Sequence, residues 1–149
     1  MKKRKIVIPL LFAFTVILIS FKNSRQPNDP WRNDQLIEPA ALAAILNDPS
    51  AKQPVIYNIG IVRGIKNAII EGAAKDSANL LKWKNELQTL PRDTDIVIYC
   101  GCCPFEYCPN IRPAFQLLNE MGFTHQKLLN LPHNLKADWV SKGYPMPAE

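Results

Sequence analysis

Ile96-Val97-Ile98-Tyr99-Cys100-Gly101-Cys102-Cys103-Pro104-Phe105-Glu106-Tyr107-Cys108-Pro109-Asn110-Ile111-Arg112-Pro113-Ala114 contains every cysteine of the chain and decides how the rest is read. Ile96 to Tyr99 is an apolar β-branched run of strand type, and Phe115, Leu118 and Met121 recur beyond Arg112 at helical spacing. The stretch therefore predicts a strand, a cysteine loop and a helix from Arg112 to Met121, ended by Gly122. A thiol on such a loop sits where backbone N–H groups and a helix dipole favour a thiolate, a persulfide or a bound anion. Pro104 and Pro109 stiffen the loop. Glu106 and Tyr107 are read as shaping it rather than reacting.

Working backward from the loop, strands and helical segments alternate. Pro39 suits a first helical position, and Leu42, Ile45 and Leu46 give one apolar face before Asn47-Asp48-Pro49 ends the helix. Val55 to Ile59 reads as a short buried strand closed by Gly60. Gly64 to Lys75 reads as loop with an apolar centre at Ile69-Ile70. Ser77 is the expected cap of a second helix, in which Leu80, Trp83 or Lys84, Leu87 and Leu90 follow at helical spacing until Pro91, with Trp83 read as core packing. Forward of the loop, Phe123 to Leu131 is expected as a strand and Lys136 to Ser141 as a short final helix. Such alternation predicts a parallel sheet covered on both faces, with its site at the carboxyl ends of the strands, where Cys100 falls.

The 149 residues, 47% of them hydrophobic, suit one domain with a real core plus a tail. The net charge of +5 is misleading: Lys2, Lys3, Arg4, Lys5 and Lys22 precede residue 24, and the 13 basic residues that follow are matched by 13 acidic ones. A neutral body without a basic aromatic patch argues against a nucleic-acid partner. The basic head and the uncharged run from Ile6 to Phe21 read as an export signal. Residues 1–23 are accordingly assigned as a signal peptide or N-terminal membrane anchor, 24–35 as a linker and 36–149 as the folded domain. The expected location is exported: periplasmic, or held to the membrane and facing the periplasm. An oxidising compartment permits disulfides. Yet all four cysteines fall between Cys100 and Cys108, so a disulfide would close only a small loop, and clustering favours chemistry or metal over stapling.

Several separated motifs together resemble the rhodanese-type sulfurtransferase domain. Val55-Ile56-Tyr57-Asn58-Ile59-Gly60 resembles the family's first core strand, and Ile70-Glu71-Gly72-Ala73 its Ile-Pro-Gly-Ala turn. Ile96 to Cys100 resembles the strand that delivers the nucleophilic cysteine, and Leu118 to Gly122-Phe123 the Leu-x-x-x-Gly-Phe helix ending. Leu131, Trp139 and Gly143-Tyr144-Pro145 resemble its closing segment. The resemblance runs from about Leu36 to Pro147. It implies a rhodanese-like three-layer α/β sandwich with a central parallel sheet of about five strands flanked by helices. Departures are also visible. Asn58 and Gly60 stand for the usual Asp and Arg, Ile69 where a His is common, and Asn134-Leu135 where paired glycines precede the tryptophan. The family's loop carries an Arg shortly after its cysteine, whereas Arg112 lies twelve positions beyond Cys100.

The resemblance implies that Cys100 takes a sulfane sulfur from a donor such as thiosulfate or a persulfide, holds it as a persulfide and passes it to a thiol acceptor, without a cofactor. Arg112 is the candidate partner that lowers the thiol pKa or steers an anionic donor. Cys102, Cys103 and Cys108 are candidate resolving or redox thiols, and Cys100 with Cys103 has Cys-x-x-Cys redox spacing. A thioredoxin-like fold is the rival, but two strand-helix units precede this loop. All four thiols, Cys100, Cys102, Cys103 and Cys108, are also candidate ligands for Zn²⁺ or Cu(I). His133, on a loop expected on the side of Cys100, is a candidate base or ligand, with an exposed loop histidine as the alternative. The same scaffold serving as a catalytically inactive binding module is the remaining reading.

Overall fold

The computed structural model describes residues 29–148. Residues 1–23, read above as a signal peptide or membrane anchor, and the first part of the expected linker lie outside the described residues. Among those described, no helix is long and apolar enough to cross a membrane.

Five parallel strands form the sheet: β1 (Leu36–Ile37), β2 (Val55–Asn58), β3 (Ala68–Ile70), β4 (Ile96–Tyr99) and β5 (Gln126–Leu129), in the order β1-β5-β4-β2-β3. Four helices flank it: α1 (Pro39–Asn47), α2 (Ser77–Leu87), α3 (Ile111–Glu120) and α4 (Leu135–Asp138). The central strand β4 has all four residues buried, as expected of a parallel strand covered on both faces. Its register sets Tyr57 against Ile98 and Asn58 against Tyr99 on one side, and Ile98 against Leu128 on the other.

Period-two alternation divides the core between the two faces. Ile96, Ile98 and Cys100 join Trp83 and Leu87 of α2 and Phe115 and Leu118 of α3. Val97 and Tyr99 join Leu42 and Leu46 of α1, Leu135 of α4, and Trp139. This makes a three-layer α/β sandwich, and it aims Cys100 at the α2–α3 side. The chain leaves β2 toward the β3 edge and leaves β4 toward β5, so the connections after these two adjacent strands diverge. A crevice opens at their carboxyl ends, where ligands bind in open α/β sheets. Gly60 and Cys100 lie there.

Several local expectations change. β1 escapes sequence detection because it has two residues, and β3 reads as loop because Ile69 and Ile70 are exposed on an edge strand. Asp76 rather than Ser77 caps α2, its Oδ1 accepting from the Ala78 N–H at 3.0 Å. The strand expected from Phe123 to Leu131 starts at Gln126, because Gly122 at φ +79° ends α3 and turns Phe123 into the core. The single helix expected from Lys136 to Ser141 is split at Trp139, whose φ of −127° is not helical. A 3-10 turn over Val140–Lys142 follows.

Residues 29–35, assigned to a linker, lie against the domain. The Trp31 ring packs on Phe105 and Phe115 with centroids 6.0 and 5.9 Å apart, and Asn119 Nδ2 donates to the Pro30 carbonyl at 2.8 Å. Folded structure therefore begins before Leu36. An aromatic side chain so placed adds its buried area to the core, which the polar and proline-rich character of the segment concealed.

Candidate active site in the cysteine loop

Cys100 stands immediately after β4 with 1% of its surface exposed. Two glycines allow the chain to pass around it. A Cβ at Gly60 would lie 2.5 Å from Cys100 Sγ and 2.8 Å from its carbonyl oxygen, so the connection after β2 approaches the thiol as closely as backbone can. Gly101 has φ +78°, a left-handed conformation in which a side chain would also strike Leu135. The loop is braced from outside as well: Leu135 N donates to the Gly101 carbonyl at 2.9 Å, and Phe105 N to the Leu131 carbonyl at 3.1 Å.

Three other groups converge on the Cys100 sulfur. Cys102 Sγ is 3.3 Å away, and Asn110 Nδ2 donates to it at 3.2 Å. Buried Cys108 completes the group, and the Sγ atoms of Cys100, Cys102 and Cys108 all lie within 4.8 Å of one another. The Cys108 thiol, opposed by burial and assisted by the Asn110 amide and by the Cys102 N–H and thiol, pulls the Cys100 thiol down to about 5. Cys102 moves the other way, pushed up to about 12 by burial and by its thiol neighbours Cys100 and Cys103. Cys108 is pushed far above the usual thiol range, first by its bond to Cys100 and then by burial. The three thiols thus titrate as a unit with one negative charge over the middle of the pH scale, centred on Cys100 with the others as S–H donors. Tyr99, buried beside that charge, has its phenol pushed up to about 12 by burial and then by Cys100, and its oxygen accepts from the Ile65 N–H at 2.9 Å.

Asn110 is the member of the candidate site that sequence reading missed. It precedes α3, where an asparagine is ordinarily a helix cap, yet it makes no cap bond. Its amide serves Cys100 instead, while its Oδ1 accepts from the Lys75 N–H at 3.0 Å and so is locked in orientation. The one sequence signal is its type and place: a short amide carried back toward the strand end by a loop that closes on itself.

The other candidates divide. Cys103 is half-buried and meets Cys102 at 3.3 Å rather than Cys100, so the Cys-x-x-Cys pair is interrupted by Cys102. Arg112, expected at Cys100, is held elsewhere: its guanidinium donates to the Glu106 carbonyl at 2.7 Å, pairs with Asp29 at 2.5 Å and stacks over the Trp31 ring. The physical reason is the length of the loop. Its 3-10 turn over Phe105–Tyr107 and the folded N-terminal segment put partners within reach of Arg112 before the thiol. Its role in the structure is therefore to fasten the loop to residues 29–31. His133 pairs with Asp138, Nδ1 to Oδ1 at 2.9 Å, on an exposed turn; this is the ordinary exposed loop histidine. Asn58, where the resemblance leads to an Asp, is buried and turns the chain after β2, donating to the Val62 carbonyl and accepting from the Gly60 N–H.

Chemically, the arrangement offers a buried, hydrogen-bonded thiolate ringed by donors, with an exposed second thiol in contact. Comparison with models of known protein families and with characterised proteins finds no match to this chain.

Proposed function

We propose that the protein is a rhodanese-like sulfurtransferase that carries sulfane sulfur as a persulfide on Cys100. The observation that carries the reading is the set of donors around Cys100: the Asn110 amide at 3.2 Å, the Cys102 thiol at 3.3 Å and the neighbouring Cys108 thiol. A thiolate at neutral pH is the nucleophile that takes sulfur from thiosulfate or a persulfide, and fixed donors stabilise the charge that develops on the transferred sulfur. The position of Cys100 at the carboxyl end of β4, in the crevice between the diverging connections, supports the same reading. A protein or small-molecule thiol is the acceptor, and the exported location read from residues 1–23 belongs to the proposal. The test is turnover: with thiosulfate as donor and cyanide as acceptor the protein forms thiocyanate, and Cys100→Ser abolishes it. Thiocyanate formation unchanged in Cys100→Ser overturns the reading.

One observation favours a second reading, a soft-metal site. Three sulfurs within 4.8 Å of one another have the chemistry to hold Zn²⁺ or Cu(I). Binding would release the protons of the coordinating thiols. Elemental analysis of protein purified without chelator decides it. Stoichiometric metal that is lost in Cys108→Ser and kept in Cys103→Ser supports this reading, and metal-free protein rejects it.

A further inference from the structure

We infer that Cys102 is the exit thiol of a two-step relay, receiving the sulfane sulfur from buried Cys100 and presenting it to acceptors at the surface. The inference rests on the proposed persulfide chemistry of Cys100 and assigns the step that follows it. Burial raises the question. Cys100 is 1% exposed, with Gly60 closed down on one side of its sulfur and Asn110 and Cys108, both buried, on others. A bulky thiol such as a protein side chain has no approach to a sulfur atom held there. Cys102 is exposed, and its sulfur lies 3.3 Å from that of Cys100. The same atom also meets half-buried Cys103 at 3.3 Å, so Cys102 is the most exposed sulfur of the cluster.

The step balances without an oxidant or a reductant. The Cys102 sulfur attacks the terminal sulfur of the Cys100 persulfide, and the Cys102 proton passes to that terminal sulfur. The S–S bond to Cys100 breaks, and its electron pair returns to Cys100 as thiolate. One persulfide is consumed, one is formed, and charge is unchanged. Attack at the terminal sulfur is favoured over attack at the inner one for two reasons. The leaving group is then the Cys100 thiolate, which its donors stabilise, and low-pKa thiols leave fastest. Attack at the inner sulfur would instead expel sulfide and close a disulfide between residues two apart, a small ring of poor geometry.

The experiment loads the full reduced chain with thiosulfate labelled in its outer sulfur, quenches at increasing times with an alkylating reagent, and maps the label by peptide mass spectrometry. The expected result is label on Cys100 first, followed by its loss there as it rises on Cys102. In Cys102→Ser the label at Cys100 outlasts that of the wild type by at least about tenfold when a protein thiol is the acceptor. No label on Cys102 at any time, with label leaving Cys100 for a protein thiol at the wild-type rate in Cys102→Ser, overturns the relay and leaves the sulfurtransferase reading intact. A Cys100–Cys102 disulfide with released sulfide overturns it in favour of resolution. Label on no cysteine at all is the failure of the underlying reading instead.

Discussion

Replacing Asn110 by alanine isolates the contribution of one donor to the Cys100 thiolate. The substitution removes the amide that donates to the sulfur at 3.2 Å and, with it, the acceptor for the Lys75 N–H at 3.0 Å. A hydrogen bond to a charged group is worth about 1.5–3 kcal/mol. At about 1.4 kcal/mol per unit, its loss raises the first titration of the cluster by about 1–2 units. The wild-type inflection near 5 therefore moves to about 6–7, and the thiolate fraction at pH 6 falls from roughly 90% to roughly 10–50%. The orphaned Lys75 N–H adds a stability loss of about 1–3 kcal/mol. Asn110→Asp separates the two effects: it keeps an acceptor for Lys75 but sets a second anion against the sulfur, so its inflection rises further than that of Asn110→Ala. The assay is the pH dependence of thiolate ultraviolet absorbance, with urea unfolding in reducing buffer for stability. An inflection in Asn110→Ala within about 0.3 units of the wild type would refute the reasoning, because the donor would then contribute under about 0.4 kcal/mol.

Gly60→Ala places a methyl 2.5 Å from the Cys100 sulfur and 2.8 Å from its carbonyl oxygen, so it lowers the urea-derived stability by about 1–3 kcal/mol; full wild-type stability contradicts the close approach. Arg112→Ala breaks the tie to Asp29 and Trp31, with a coupling to Asp29→Ala of about 1 kcal/mol or less in a double-mutant cycle, and leaves the thiol inflection within about 0.3 units. A full-unit shift would return Arg112 to the site. Stability also depends on pH with a defined sign. Because the folded Cys100 value of about 5 lies below the ordinary thiol value of about 9, its contribution is fully present above about 9 and is lost as pH falls through about 5. Cys102, raised to about 12, contributes below about 9 and loses that contribution as pH rises through about 12. Urea midpoints in reducing buffer thus climb between about pH 5 and 9, and Cys100→Ser flattens the climb; an unchanged slope in that variant contradicts the assignment of the charge to Cys100.

The parallel sheet was legible because β4 and β2 are apolar runs that end at glycine or cysteine, and because α1 and α3 carry apolar faces bounded by proline and glycine. What sequence periodicity could not register was short or exposed: the two residues of β1, and Ile69 and Ile70 on the β3 edge. The position of Cys100 immediately after a strand was legible. Its partners were not, since a loop's path is set by tertiary contacts that have no period. Asn110 has the type and position of a cap and spends its amide on the thiol instead. Arg112 had the right charge in the right helix but found Asp29, whose proline-rich surroundings read as a tether. Cys102 reads in sequence as one of three candidate resolving or redox thiols, and its exposure together with its contact with Cys100 distinguishes it.

The central claim is that Cys100 is the sulfur-carrying thiolate of the cluster. It is tested most directly by a single short exposure of the reduced full chain to labelled thiosulfate at pH 6, where an ordinary thiol is almost wholly protonated and Cys100 is not. Peptide mapping at the earliest time point is predicted to find one added sulfur on Cys100 and none on Cys103 or Cys108. No added sulfur, or sulfur first on Cys103 or Cys108 with Cys100 unmodified, would contradict the account.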